Sequence, residues 1–175
     1  MKAMIMSVVA VLGVFLAACT QQSTEPAQST AEQMPSKAEL TESVLTAYER
    51  LRSQLANDEV ASAAGFESLA EAARAASNPF SGEAKGHLEQ LASSAESRAA
   101  GVAAGLDQAR EAFGEVSRHL IAILSADPDL AKGRYVFECP MAKSYPKWVQ
   151  QSETVSNPYM GPEMATCGVA SAWQP

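Results

Sequence analysis

Between Leu40 and Leu124 apolar residues return every third or fourth position in four successive runs, the periodicity of helices that bury one face. In the first run Leu40, Val44, Tyr48, Leu51 and Leu55 form a single stripe, and Ser36 with Glu39 supplies a capping box ahead of it. Asn57, Asp58 and Glu59 break the pattern and can cap a second helix, whose inward face is Val60, Ala63, Phe66, Ala70 and Ala73 and which ends at Asn78-Pro79. Ser81-Gly82-Glu83 opens a third helix with Leu88, Leu91 and Ala95 inward and Val102 at its far end. A weak point from Gly101 to Gly105 separates it from a fourth, which carries Leu106, Ala109, Phe113, Val116, Leu120, Ile123 and Leu124 until Asp127-Pro128 stops it. The expected fold is mainly α, an antiparallel four-helix bundle, because short links turn each helix back along the one before. Composition agrees: only 6% of the residues are aromatic, too few for a sheet-built core of this size.

After Pro128 the helical spacing disappears. Prolines and glycines become frequent, and Tyr135, Phe137, Tyr145, Trp148, Tyr159 and Trp173 gather. Gly133 to Cys139 reads as a strand with Tyr135, Phe137 and Cys139 on one face, and the chain returns through turns at Asn157-Pro158 and Gly161-Pro162. Residues 129–175 are therefore expected to make a small irregular or β-hairpin cap on the bundle, within one domain spanning residues 37–175.

The opposite end of the chain has a different grammar. Lys2 precedes a run from Ala3 to Ala18 that is apolar except for Ser7 and stops at Leu16-Ala17-Ala18-Cys19. That order reads as a signal peptide over residues 1–18, and the run is shorter than the roughly 20 residues a bilayer core requires. Leu-Ala-Ala-Cys resembles the lipobox of bacterial lipoproteins, which implies cleavage before Cys19 and a lipid on its sulfur. The expected location is outside the cytoplasm, anchored to a membrane and facing the periplasm; Thr20 in place of Asp directs the expectation toward the outer membrane in a Gram-negative cell. Residues 19–36 are Gln, Ser, Thr, Pro and Glu with little to bury, a leash that holds the domain on the order of 20 to 25 Å from the lipid. The formal charge is −7, and removal of Lys2 leaves 12 basic against 20 acidic residues, or −8, so nucleic acid is not an expected partner.

With Cys19 committed to the lipid, Cys139 and Cys167 remain, and three methionines, Met141, Met160 and Met164, stand near them in sequence. Thiolates and thioethers are soft donors that select Cu(I) or Ag(I), whereas zinc gains little from methionine. In an extended Cys139-Pro140-Met141 the first and third side chains project to one side and could grip one ion, completed by Met164 and Cys167 from the second arm. The other reading is a structural disulfide between Cys139 and Cys167, closing 27 intervening residues and adding about 3 to 4 kcal/mol, with the methionines as packing. His87 reads as solvated and His119 as a core-edge residue, with an auxiliary ligand role for His119 should the C-terminal segment fold onto its helix. No catalytic residue is expected: the chain has no nucleophile elbow, no Cys-x-x-Cys pair and no phosphate loop.

Cys139-Pro140-Met141-Ala142, Trp148, Asn157-Pro158-Tyr159, Gly161, Met164 and Cys167-Gly168, taken in order, resemble a bacterial family known as domain of unknown function 3347. The resemblance runs from about Leu40 to the end and includes Leu55-Ala56-Asn57-Asp58, Ala109-Arg110 and Phe113. Members are exported lipoproteins or domains appended to the periplasmic adaptor subunits of copper and silver efflux pumps. The resemblance implies metal handling beside an efflux component, with Cys139, Met141, Met164 and Cys167 as the matching sulfur positions. Met160 departs from the pattern, where an aromatic residue is usual, and counts only as an auxiliary ligand candidate.

Overall fold

Ser36 starts the first helix as its spacing to Glu39 predicts: the Glu39 amide donates to Ser36 Oγ at 3.2 Å, and the Glu39 carboxylate accepts from the Ser36 amide at 2.7 Å. The Ser36 amide first, and then the Ser36 hydroxyl, which donates to the same carboxylate at 2.8 Å, hold the Glu39 carboxyl below its ordinary pKa. The computed structural model describes residues 34–59, 62–100 and 105–175. The signal segment, Cys19 and the leash to residue 33 lie outside the described residues, as do Val60, Gly101 and Val102. Among the described residues no helix is long and apolar enough to cross a membrane.

The protein is mainly helical, with α1 (Lys37–Ala56), α2 (Ala63–Ser77), α3 (Gly82–Ala99) and α4 (Leu106–Ala126). Each helix packs on the next in sequence, and α4 meets α1. Most of each expected stripe is buried: Val44, Tyr48, Leu51 and Leu55 from α1, Phe66, Ala70 and Ala73 from α2, Leu88, Leu91 and Ala95 from α3, and Ala109, Phe113, Val116, Leu120, Ile123 and Leu124 from α4, with Leu69 buried beside the α2 stripe and Leu40, Ala63 and Leu106 only half-buried at the stripes' edges. One cap differs from expectation. Ser62, not the Asn57-Asp58-Glu59 turn, caps α2, its Oγ accepting from the Gly65 amide at 3.1 Å.

Beyond α4 the chain forms a three-stranded antiparallel sheet in the order β2-β1-β3, with β1 at Tyr135–Glu138, β2 at Lys147–Gln150 and β3 at Val169–Ala170. The expected hairpin is thus a sheet. The partner of β1 arrives before the Asn157-Pro158 turn, pairing Val136 with Val149 and Phe137 with Trp148, and the chain's end adds the third strand, Glu138 opposite Val169. Tyr135, Phe137 and Cys139, expected on one face of this strand, are not buried alike. Tyr135 is exposed, while Val136 and Phe137 are both buried, because the sheet is covered on each side and alternation no longer separates core from solvent.

Aromatic rings and two hydroxyls join cap to helices. Tyr48 stacks on Phe113 at 4.7 Å, Phe113 meets Tyr159 edge-on at 6.0 Å, and Tyr159 meets Trp148, which lies beside Phe137. Ser117 donates its one proton to the Phe113 carbonyl at 2.7 Å. Tyr48 therefore donates to Ser117 Oγ, 2.7 Å away, and its own oxygen accepts from the Val149 amide at 3.2 Å. Gly114 allows the approach from α4: a Cβ there would stand 2.9 Å from Ser144 Oγ and 3.1 Å from the Tyr145 carbonyl oxygen.

Candidate functional site

Cys139 leaves β1 fully buried, and its amide donates to the Pro146 carbonyl at 3.0 Å. Extending the β1–β3 register by one residue puts Gly168 opposite Cys139, so Cys167 arrives beside it. The two thiols meet: Cys139 acts on Cys167 through both charge and a hydrogen bond, and with partial burial as the largest cause these raise the Cys167 pKa above its ordinary value. The physical reason is that a second negative charge beside the first, away from water, is unfavourable. The two sulfurs are not bonded to each other in this structure.

Two tight turns set the arms. The Ala142 amide donates to the Cys139 carbonyl at 3.1 Å and the Cys167 amide to the Met164 carbonyl at 2.9 Å, each closing a four-residue turn. Pro140, with its fixed φ, follows Cys139 directly and favours the first. The extended Cys139-Pro140-Met141 expected from sequence is therefore a turn, and its side chains part company: Cys139 is buried, while Met141 is 56% exposed. Asn157, fully buried, staples the second arm. Its amide nitrogen donates to the Cys167 carbonyl, its side-chain oxygen accepts from the Tyr159 amide at 2.7 Å, and its backbone amide donates to the Ala165 carbonyl at 2.8 Å. Only a side chain with both donor and acceptor fills that position.

Met141 and Met160 reappear in the wall of a cleft of about 360 Å³ beside the start of α4, with Asp107, Arg110, Glu111, Lys143 and Tyr159. Met164, half-buried at the end of a 3-10 turn (Pro162–Met164), lines no part of it. The five sulfur positions thus divide into a buried dithiol, a cleft with two thioethers, and Met164. Among the described residues no three His, Cys, Asp or Glu side chains converge as a metal cluster.

His119 takes a different place from the one considered for it. Its ring faces α3, where Nδ1 lies 3.3 Å from Nδ1 of His87, and its Nε2 lies 3.5 Å from Arg118. The ring centroids are 5.6 Å apart, so the two nitrogens point nearly at each other, and one proton between them makes the bond. Burial first, then Arg118 and His87, bring the His119 pKa down to about 4, against a small opposing pull from Glu115. His87, expected in solvent, is half-buried by this pairing.

The brace that holds the site was barely legible from residue pattern alone. Arg110 donates to the Leu55 carbonyl at 3.1 Å, to the Pro158 carbonyl at 3.0 Å and to Asp58 Oδ1 at 2.5 Å. It joins the end of α1 to the segment that carries Met160 and Cys167. Asp58 has a left-handed backbone, φ 58°, and Gly161, φ 70°, lies against its carboxylate with no room for a Cβ. Fragments singled out in three separate stretches, Asn57-Asp58, Ala109-Arg110 and Asn157 to Gly161, are therefore one contact. An arginine within an apolar helix face was the available signal. A second brace, Arg52, donates to the Ser156 carbonyl at 2.7 Å while Glu49 holds it from the next turn.

Comparison with known protein families, with curated proteins and with solved structures finds no match to this chain.

Proposed function

We propose that this protein is a membrane-tethered periplasmic binder of Cu(I) or Ag(I), which buffers the ion or passes it to an efflux component, with Cys139 and Cys167 as the principal ligands. In this reading Cys19 carries the lipid, the four helices form an antiparallel bundle that serves as platform, and the chain performs no catalysis. It would be one of the exported proteins of the family its C-terminal motifs resemble.

The observation that carries the reading is the meeting of the two thiols, brought from either end of a 27-residue segment and fixed by turns and by Asn157. A neighbouring pair of thiols resists losing both protons, and a monovalent soft cation removes that resistance by neutralising one of the two charges. The apolar surroundings, with Cys139 wholly buried, exclude competing water. The same proximity favours a second reading, a metal-free envelope protein whose Cys139 and Cys167 form a disulfide that pins the cap while the helices dock a partner. An oxidised pair offers no thiolate, so the two states exclude each other on any one molecule.

Anaerobic titration with Cu(I) against a competing chelator separates them. Tight binding of one ion per reduced chain, falling to much weaker binding in Cys139→Ser/Cys167→Ser, is the expected result. Equal binding by the double variant rejects the dithiol as ligand, and full oxidation of freshly isolated protein with no retained copper favours the disulfide.

A further inference from the structure

The cleft beside α4 has a lining that the dithiol does not use. Met141 and Met160 both open onto its roughly 360 Å³, from two different segments of the cap. Large apolar side chains belong under cover, and Met141 is one of four left exposed among the described residues, at 56%. Packing does not explain its position; the turn at Pro140 holds it out. The charges of the wall are nearly spoken for. Arg110 is neutralised by Asp58, and Lys143 reaches Asp107 at 3.3 Å. Glu111, exposed one helical turn beyond Asp107, has no ion pair among the described residues, so the uncompensated charge on the wall is a carboxylate.

We propose that this cleft is a separate thioether site, where a soft monovalent cation binds Met141 and Met160 beside Glu111 before passing to Cys139 and Cys167. The destination rests on the dithiol reading; the cleft itself does not. Thioethers are neutral soft donors that accept Cu(I) or Ag(I) without releasing a proton and yield it to thiolates, which bind through charge as well as softness. Met141 is two residues from Cys139, so the ion has a short way to travel. The transfer is ligand exchange with no redox change: two thioether bonds to the ion break, two thiolate bonds form, and the two thiol protons leave to water. Zinc and calcium find too few of the imidazole, thiolate or oxygen donors they prefer, since Glu111 is the one carboxylate on the wall without an ion pair among the described residues.

Silver(I) is the probe, because it imitates Cu(I) in donor preference and does not cycle in air. Titrated into the full chain carrying Cys139→Ser/Cys167→Ser, one Ag(I) binds and moves the side-chain methyl resonances of Met141 and Met160. Adding Met141→Leu/Met160→Leu, a volume-conserving change, weakens that binding at least tenfold. In the chain with its thiols intact the same two substitutions slow loading of the tight site at least fivefold and leave one ion bound at the end. Equal silver affinity with and without the two methionines in the thiol-free chain overturns the site, as do methyl shifts confined to Met34 and Met164. Should the intact chain bind no tighter than the thiol-free one while both methyls still shift, the cleft stands and the passage to the thiols is overturned.

Discussion

Tyr48→Phe removes one oxygen and tests how the cap is fastened. Tyr48 is 1% exposed, and its hydroxyl is the middle of a relay: the Val149 amide donates to it at 3.2 Å, it donates to Ser117 at 2.7 Å, and Ser117 donates to the Phe113 carbonyl. Burial raises its pKa, so the proton stays in place. Because β2 is an edge strand and Val149 faces away from β1 with its amide, loss of the tyrosine oxygen orphans a buried donor that no strand can satisfy. Ser117 keeps its bond to Phe113 and loses only an incoming donor. An orphaned buried group costs about 1 to 3 kcal/mol, and the slightly greater apolarity of phenylalanine offsets a fraction of it, leaving about 2 kcal/mol. For a domain of this size that lowers Tm by roughly 6 to 8 °C. Urea unfolding of the reduced protein, followed by tryptophan fluorescence from Trp148 in the core, reads the change directly. Ser117→Ala and the double variant complete a cycle with an expected coupling of about 1 kcal/mol, since the second substitution finds the relay already broken. Stability of Tyr48→Phe within 0.3 kcal/mol of the parent, judged against the ~1 kcal/mol floor for an orphaned donor, would refute the relay.

Further outcomes follow from other contacts. His119 is held near 4 against an ordinary 6.5, facing His87 from α3 and Arg118 and Glu115 on its own helix, so the unfolded chain takes up a proton the folded chain refuses. Its contribution is complete above pH 6.5 and is lost as pH falls from 6.5 through about 4; at 1.36 kcal/mol per pH unit that is ~3 kcal/mol at most, and about half that with water reaching the half-buried His87. Urea midpoints of the metal-free protein should therefore drop across this window more steeply than those of His119→Gln, and parallel profiles reject the account. Arg110→Lys should cost about 2 to 4 kcal/mol, because one ammonium cannot serve two carbonyls and a carboxylate from three directions; recovery of parental stability by lysine would show that charge alone suffices. Gly161→Ala must adopt φ +70° and press a Cβ into Asp58, so at least ~2 kcal/mol is expected in thermal unfolding, and a neutral result contradicts the packing. Oxidation of Cys139 and Cys167 to a disulfide should raise the unfolding free energy by about 3 kcal/mol over the reduced chain, and no gain would mean that the bond strains the arms.

Local rules reached far along this chain. Helical spacing at Leu40 to Leu55 and at Leu106 to Leu124 marked the buried faces, because a helix repeats its inward side every three or four residues whatever it packs on. Ser36 with Glu39, Asn78-Pro79 and Asp127-Pro128 marked helix ends for reasons complete within a few residues: a cap needs an acceptor near the first amides, and a proline constrains the residue before it. The cap was less legible. With both faces of its sheet covered, Val136 and Phe137 are buried alike, and the alternation that would betray a strand's orientation is gone. Partner choice among strands, too, depends on segments that no short window contains.

Which groups meet was decided only in three dimensions. Cys139 beside Cys167, His87 against His119, and Arg110 between Asp58 and Pro158 each join residues at least 28 positions apart in sequence. Side-chain type told what such groups could do if they met, because a thiol or thioether sulfur is a soft donor wherever it stands. It could not tell that the turn after Cys139 would send Met141 outward and away from the thiol two residues earlier. Chemistry is a property of the residue, whereas juxtaposition is a property of the packed chain.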